Sequence, residues 1–160
     1  MILGIDPGIS GALAWIDDAG ELVAIEDMPT VAVRRGKGDR NVVAPQLLAD
    51  LIWHRERDTR MATVEQVGTR PGEGPVGAFS FGRSFGLIEG VLAGATIRLQ
   101  YVTPRVWVPA MGIRGGKDES RAIAMRRWPK HAKLFARKKD DGRSDAALIA
   151  LYTLQHMTRE

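Results

Sequence analysis

Apolar residues along this chain fall into two rhythms. Short continuous runs at 1–6, 12–16, 22–28, 61–67 and 97–102 have strand length and end at Gly, Pro, Asp or Gln. Asp17-Asp18-Ala19-Gly20 separates the second run from the third and reads as a hairpin turn, so the first three strands form an antiparallel meander. Between the runs the spacing changes to three and four. Leu47, Leu48, Leu51 and Ile52 mark a helix over 43–57 with Asn41 as its cap. Further helices are expected over 79–95, over 104–111 with Pro104 in the first turn, over 117–128 up to Pro129, and over 144–157. Three early strands followed by helix, strand, helix, strand and helices imply one α/β domain, a five-stranded mixed sheet flanked by helices. Strands one and four become parallel neighbours in such a sheet. No linker or internal repeat divides residues 1–160.

The helix expected over 79–95 carries Gly82, Gly86, Gly90 and Gly94 on one face. Each costs about 1 kcal/mol relative to Ala. Close packing against the sheet is the expected compensation; a subunit interface or a nucleic-acid backbone is the alternative.

Polar residues at the ends of the apolar runs supply the chemistry. Asp6 ends the first strand, Glu65 lies in the fourth, and Asp141 and Asp145 sit one helical turn apart ahead of the last helix. Carboxylates at the ends of buried elements are costly unless something positive lies among them. Each has an ordinary reading: Asp6 before Pro7-Gly8 as a turn residue, Asp141 and Asp145 as a helix cap and a first-turn acid. Glu65 inside Thr63-Val64-Glu65-Gln66-Val67 is harder to explain as structure. One reading covers all four. Residues four apart share a helix face, so both aspartates can join Asp6 and Glu65 around divalent cations. Mg²⁺ takes hard oxygen ligands and keeps several waters. A pair of such ions about 3.5–4 Å apart serves phosphodiester hydrolysis.

Composition narrows the substrate. Net charge is only +4, but Arg126, Arg127, Lys130, Lys133, Arg137, Lys138 and Lys139 occupy one stretch without an acid. A second cluster, Arg34-Arg35-Gly36-Lys37-Gly38-Asp39-Arg40, reads as a mobile glycine-rich loop. Such patches suit a polyanion in a salt-sensitive manner, although either alone is compatible with a solvated surface. With no cysteine the chain has neither disulfides nor thiolate metal sites. No apolar run reaches the roughly 20 residues of a membrane span, and the N-terminus has no charged leader, so a cytoplasmic location is expected. His54, His131 and His156 lack metal-ligand spacing. Trp15 and Trp53 read as core or edge packing, while Trp107 and Trp128, beside basic segments, are candidates for DNA contact.

The ordered set Ile2-Leu3-Gly4-Ile5-Asp6-Pro7-Gly8, Val64-Glu65-Gln66-Val67, Phe81-Gly82-Arg83-Ser84-Phe85-Gly86, Thr103-Pro104, Gly115-Gly116-Lys117 and Asp145-Ala146-Ala147 resembles RuvC-type Holliday junction resolvases across nearly the whole chain. Lys138-Lys139-Asp140-Asp141 before Asp145 is most similar to phage-encoded and related RuvC-like nucleases. The resemblance implies an RNase H-like fold, a homodimer, Mg²⁺ or Mn²⁺ dependence, and paired incisions in branched DNA. Asp6, Glu65 and Asp145 match metal ligands, and Asp141 takes the fourth place, with Asp140 as the alternative. The bacterial pattern spaces its last two acids three apart, where this chain has Gly142. Lys117 matches a basic residue near the scissile DNA; its ordinary reading is a surface lysine at a helix start. Arg34, Arg35, Lys37, Arg70, Arg83, Arg137, Lys138 and Lys139 are the further expected DNA contacts. Gly68 and a longer loop replace an aromatic residue that follows the acidic strand in the bacterial enzymes.

The same acids would serve a ribonuclease acting on RNA–DNA hybrids. Gly4-Ile5-Asp6-Pro7-Gly8 also resembles the phosphate turn of sugar-kinase and actin-like modules, but those need two copies of the fold and a second phosphate loop.

Overall fold

The computed structural model describes residues 1–36, 38–66, 68 and 74–157. Strands β1 (Ile2–Asp6), β2 (Ala12–Ile16) and β3 (Leu22–Asp27) form the expected meander. The turn between β2 and β3 is closed by Asp17, whose Oδ1 accepts the backbone N–H of Ala19 (2.9 Å) and of Glu21 (2.8 Å). A small hairpin follows, β4 (Thr30–Arg35) and β5 (Gly38–Val43), then helix α1 (Pro45–Trp53), strand β6 (Met61–Glu65) and helix α2 (Pro75–Gly94). Strand β7 (Arg98–Val102) and helices α3 (Pro104–Ala110), α4 (Lys117–Arg127) and α5 (Asp141–His156) complete the chain. The main sheet has the order β3-β2-β1-β6-β7, with β1, β6 and β7 parallel.

Alternation along the central strands builds two apolar layers. Ile2, Ala12, Ala14 and Ile16 pack on one face with α5 and with Trp107, Ala124 and Trp128 from the neighbouring elements. Leu3, Ile5, Leu13 and Trp15 pack on the other, with Leu48 and Ile52 of α1 and Ile88 and Leu92 of α2. Helix α5 lies so close to β1 that a Cβ on Gly4 would meet the Ala146 carbonyl oxygen at 2.1 Å and the Ala150 nitrogen at 2.4 Å. Arg143 fastens the start of that helix to β3, its Nε 2.5 Å and its Nη2 2.7 Å from the two carboxylate oxygens of Asp27.

Several expectations from sequence are corrected. The Arg34–Arg40 cluster is not a loop but the body of the β4–β5 hairpin, paired from Thr30↔Val43 to Arg35↔Gly38. Val31, Val33 and Val42 favour extended backbone, and Gly36, at φ +61°, makes the reversal. Asn41 lies within β5 and caps nothing; α1 starts at Pro45, preorganised for a first turn. Helix α2 likewise begins four residues earlier than expected, at Pro75. Its glycine face does not pack on the sheet: a Cβ on Gly82, Gly86, Gly90 or Gly94 would meet nothing within 4 Å. Ser84, Ile88 and Leu92 are its buried residues. Trp53 is exposed rather than core.

Candidate active site

Parallel pairing of β1 with β6 runs from Ile2↔Met61 to Ile5↔Val64, which leaves Asp6 and Glu65 side by side at the same sheet edge. Adjacent strands are about 4.8 Å apart. Helix α5 brings the other two acids. Its close approach at Gly4 sets Asp145, the residue before Ala146, beside the end of β1. Asp141 is one turn earlier, in the first turn of the same helix. The positive end of the helix dipole suits an acid there.

Gly142 explains the altered spacing of the last two acids. A Cβ at this position would stand 2.5 Å from the Ser10 carbonyl oxygen and 2.8 Å from Gly11 Cα. With α5 pressed on the β1–β2 turn there is no room for a side chain three residues before Asp145, and the acid lies four before it. Asp140 is engaged elsewhere. It is buried, accepts the Arg137 backbone N–H at 2.9 Å and lies 2.8 Å from Arg137 Nη2, with Arg143 3.8 Å away. These donors hold its pKa below the usual range against the opposing effect of burial.

The acids share one electrostatic environment. Burial pushes Glu65 up from 4.5 to about 7, with Asp6 and Asp145 adding to the rise and the Trp107 hydrogen bond opposing it. Burial likewise raises Asp145 from 3.8 to about 6, assisted by Asp6 and Asp141 and opposed by Ser120 and Lys117. Lys117, at the first position of α4, forms an ion pair with Asp141, and this contact raises its own pKa. Lys117 therefore borders the acid cluster.

Two neutral donors escaped the sequence reading. Trp107 of α3 gives its indole N–H to Glu65 Oε1 at 2.8 Å, and Ser120 of α4 stands 2.5 Å from Asp145 Oδ1. Each fixes one carboxylate oxygen without cancelling the charge. A buried indole needs an acceptor for its N–H, which was the available signal for Trp107. DNA contact by the two tryptophans is corrected accordingly: Trp107 is 2% exposed, and Trp128 is 1% exposed with its N–H bonded to the Gly20 carbonyl at 2.9 Å.

All the donors are hard oxygens, which suits Mg²⁺ or Mn²⁺. Among the described residues no three acids are gathered tightly enough to hold one ion between themselves alone. Mg²⁺ rarely needs that, since one or two carboxylates, waters and a substrate phosphate complete its shell. The raised pKa values of Glu65 and Asp145 come first from burial and then from the neighbouring acids, and a cation among them would offset both.

The expected DNA contacts are scattered. Arg34, Arg83, Arg137, Lys138 and Lys139 are exposed; Arg34 lies 3.8 Å from Asp39, and Arg137 is tied to Asp140. Lys37, Arg70 and the Arg35 side chain lie outside the described residues.

A mixed sheet with acids at the ends of its central parallel strands and on a helix laid across them is also the fold of solved RuvC structures. The chain superposes on Thermus thermophilus RuvC with a TM-score of 0.55 at 15% identity, covering 98% of this chain and 96% of that one. Against T. thermophilus RuvC in complex with Holliday junction substrate the TM-score is also 0.55 at 15% identity, covering 94% and 90%. In sequence, 86 residues, 52% of the chain, are 35% identical to the chloroplastic Holliday junction resolvase MOC1 of Chlamydomonas reinhardtii. The match spans 10% of that longer protein. No protein-family model matches the chain.

Proposed function

We propose that this protein is a divalent-metal-dependent endonuclease that cuts four-way or related branched DNA by hydrolysing phosphodiesters. The observation that carries the reading is the meeting of Asp6, Glu65, Asp145 and Asp141 at one sheet edge, with Lys117 beside them, on a RuvC fold. Junction DNA is favoured over RNA–DNA hybrids because the sequence relative is named as a junction resolvase.

Asp6, Glu65 and Asp145 would hold Mg²⁺, or Mn²⁺ in its place, and Asp141 would join them when its carboxylate turns from Lys117. Bound there, the ions would activate water and stabilise the leaving oxygen. The chain supplies the rest. Trp107 and Ser120 keep two carboxylates turned toward the common space. Lys117, released from Asp141, can neutralise a phosphate oxygen as charge develops.

Synthetic four-way, Y-shaped and linear duplexes and an RNA–DNA hybrid, incubated with Mg²⁺, test the reading. The four-way junction is expected to be cut at least about tenfold faster than the linear duplex, a gap of about 1.4 kcal/mol. Equal cutting of all four would remove the junction reading. Trp107→Phe keeps the ring and removes the N–H; Mn²⁺ affinity measured by calorimetry should fall about tenfold, as for other residues that orient a ligand. Unchanged affinity would mean that the indole is only packing.

A homodimer completes the proposal, because two symmetric sites can cut opposing strands. The bare glycine face of α2 and Trp53 of α1 line a shallow groove with Leu87 and Val91. We propose that a second copy packs on this surface, because backbones can approach closely over glycine. The cleaving species should then have twice the chain mass in solution.

A further inference from the structure

The catalytic acids have a second neighbour that neither the sequence nor the comparisons assign. A cavity of about 550 Å³ opens from Asp6 and Glu65 and runs between the β4–β5 hairpin and α2. Its described lining includes Arg40 and Asn41 of β5 and Ser80 and Phe81 of α2, but no residue of α3, α4 or α5. Helices α4 and α5 cover one face of the sheet and α2 the other. The acids are therefore flanked by Lys117 on one face and by this cavity on the other.

The lining chemistry is that of a nucleotide site. Phe81 offers a ring on which a base can stack. Asn41 and Ser80 bring an amide and a hydroxyl for base or sugar edges. Arg40 is the one cation among the described lining residues; it is exposed and forms no ion pair among the described residues, whereas Arg34 of the same hairpin faces Asp39. The volume lies in the range of small-molecule pockets, far too small for a duplex. A free nucleotide would meet repulsion from Asp6 and Glu65. A nucleotide still joined to the strand whose phosphate is being cut brings its own reason to be there.

We propose that the cavity receives the unpaired nucleotide next to the scissile phosphate, with Arg40 on its phosphate and Phe81 against its base, so that the β4–β5 hairpin selects strands released from a duplex. This rests on the endonuclease reading above. Branched DNA offers such nucleotides at its crossover; a linear duplex would have to be opened first.

The test uses the full chain, a four-way junction whose cleavage position has been mapped with the wild-type protein, and Ca²⁺ in place of Mg²⁺ during binding measurements. Arg40→Ala should weaken junction binding about 5- to 10-fold and flatten its salt dependence by about one phosphate contact. In Mg²⁺ the loss should fall on KM more than on kcat. Arg40→Lys should recover most of it, and Arg57→Ala, at the opposite end of β6 from Glu65, serves as the charge control. Phe81→Leu keeps an apolar side chain in place. An abasic site at the mapped nucleotide should cost the wild type about fivefold or more in affinity and Phe81→Leu less than about twofold, since the stacking contact is already gone. The proposal is overturned if the wild type prefers and cuts the junction while Arg40→Ala loses no more than Arg57→Ala, or if the abasic site costs both proteins equally. A wild type that treats junction and linear duplex alike would instead remove the endonuclease reading, and this proposal with it.

Discussion

Asp6→Asn should lower cleavage of a four-way junction by at least about a thousandfold while leaving junction binding within about twofold. The substitution exchanges one carboxylate oxygen for an amide and changes little volume, so the fold should survive it. What it removes is the carboxylate charge at the end of β1, beside Glu65 and within the field of Asp145, that the proposed function assigns to a metal ion. An effect of about 4 kcal/mol on the barrier corresponds to that loss of rate, and losing the positioning of one activating ion is sufficient cause. On the proposed function, DNA affinity comes from the cationic surface, which this substitution leaves unchanged. Gel-based single-turnover cleavage and a binding titration in Ca²⁺ separate the two quantities. An Asp6→Asn protein with full activity would show that the β1 carboxylate serves the turn, where its Oδ1 accepts the Gly8 N–H at 3.2 Å, and not catalysis.

Glu65→Gln should do something less intuitive: abolish cleavage and make the metal-free protein more stable. Burial raises the Glu65 pKa from its ordinary 4.5 to about 7. Between those values the folded protein binds a proton that the unfolded chain releases. Stability of the metal-free protein therefore falls as pH rises from about 4.5 to about 7, and Asp145, raised from 3.8 to about 6, adds to the fall over the lower part of that window. A rise of about 2.5 in pKa corresponds to about 3 kcal/mol, reduced somewhat by the solvent that still reaches the carboxylate. A glutamine has no charge to bury, and its carbonyl oxygen can still accept the Trp107 N–H. At pH 8 without metal the variant should melt about 5 °C or more above the wild type, and its melting temperature should change less between pH 5 and pH 8. Saturating Mg²⁺ should raise the wild-type melting temperature at pH 8 by binding the folded state and raise that of Glu65→Gln much less. A wild-type melting temperature that does not fall from pH 5 to pH 8 in chelator would contradict the buried-charge explanation.

Much of this site could be read before the fold was known, for a physical reason. Strand ends are marked by abrupt changes from apolar to polar, and Asp6 and Glu65 are such ends. Helical periodicity then placed Asp141 and Asp145 on one face, and the order of elements made β1 and β6 parallel neighbours. These are local signals joined by one topological rule. Contacts made across the fold were less legible. Nothing near Trp107 in the chain says that its N–H meets a glutamate 42 residues earlier, nor does anything near Ser120 announce Asp145. The Arg34–Arg40 segment failed for a different reason. Its glycines and charges read as a loop, while the alternating valines around them were too few to outweigh that composition. Only the pairing of Val33 with Arg40 and of Val31 with Val42 reveals the hairpin. The glycines of α2 misled in the opposite direction, since small residues can mean close packing or an uncovered face, and sequence alone does not distinguish them. Gly142 became intelligible only with α5 in place, because the backbone that excludes a side chain there belongs to the β1–β2 turn.

The decisive measurement is a crystal structure of the wild-type protein soaked in Mn²⁺, with the ions located by their anomalous scattering. Peaks are expected at the sheet edge within coordination distance of Asp6, with Glu65 and Asp145 completing the oxygen shells, and they should vanish in crystals of Asp6→Asn. Manganese bound only elsewhere on the surface, or an empty sheet edge at saturating Mn²⁺, would contradict the claim that these carboxylates are gathered to hold divalent ions.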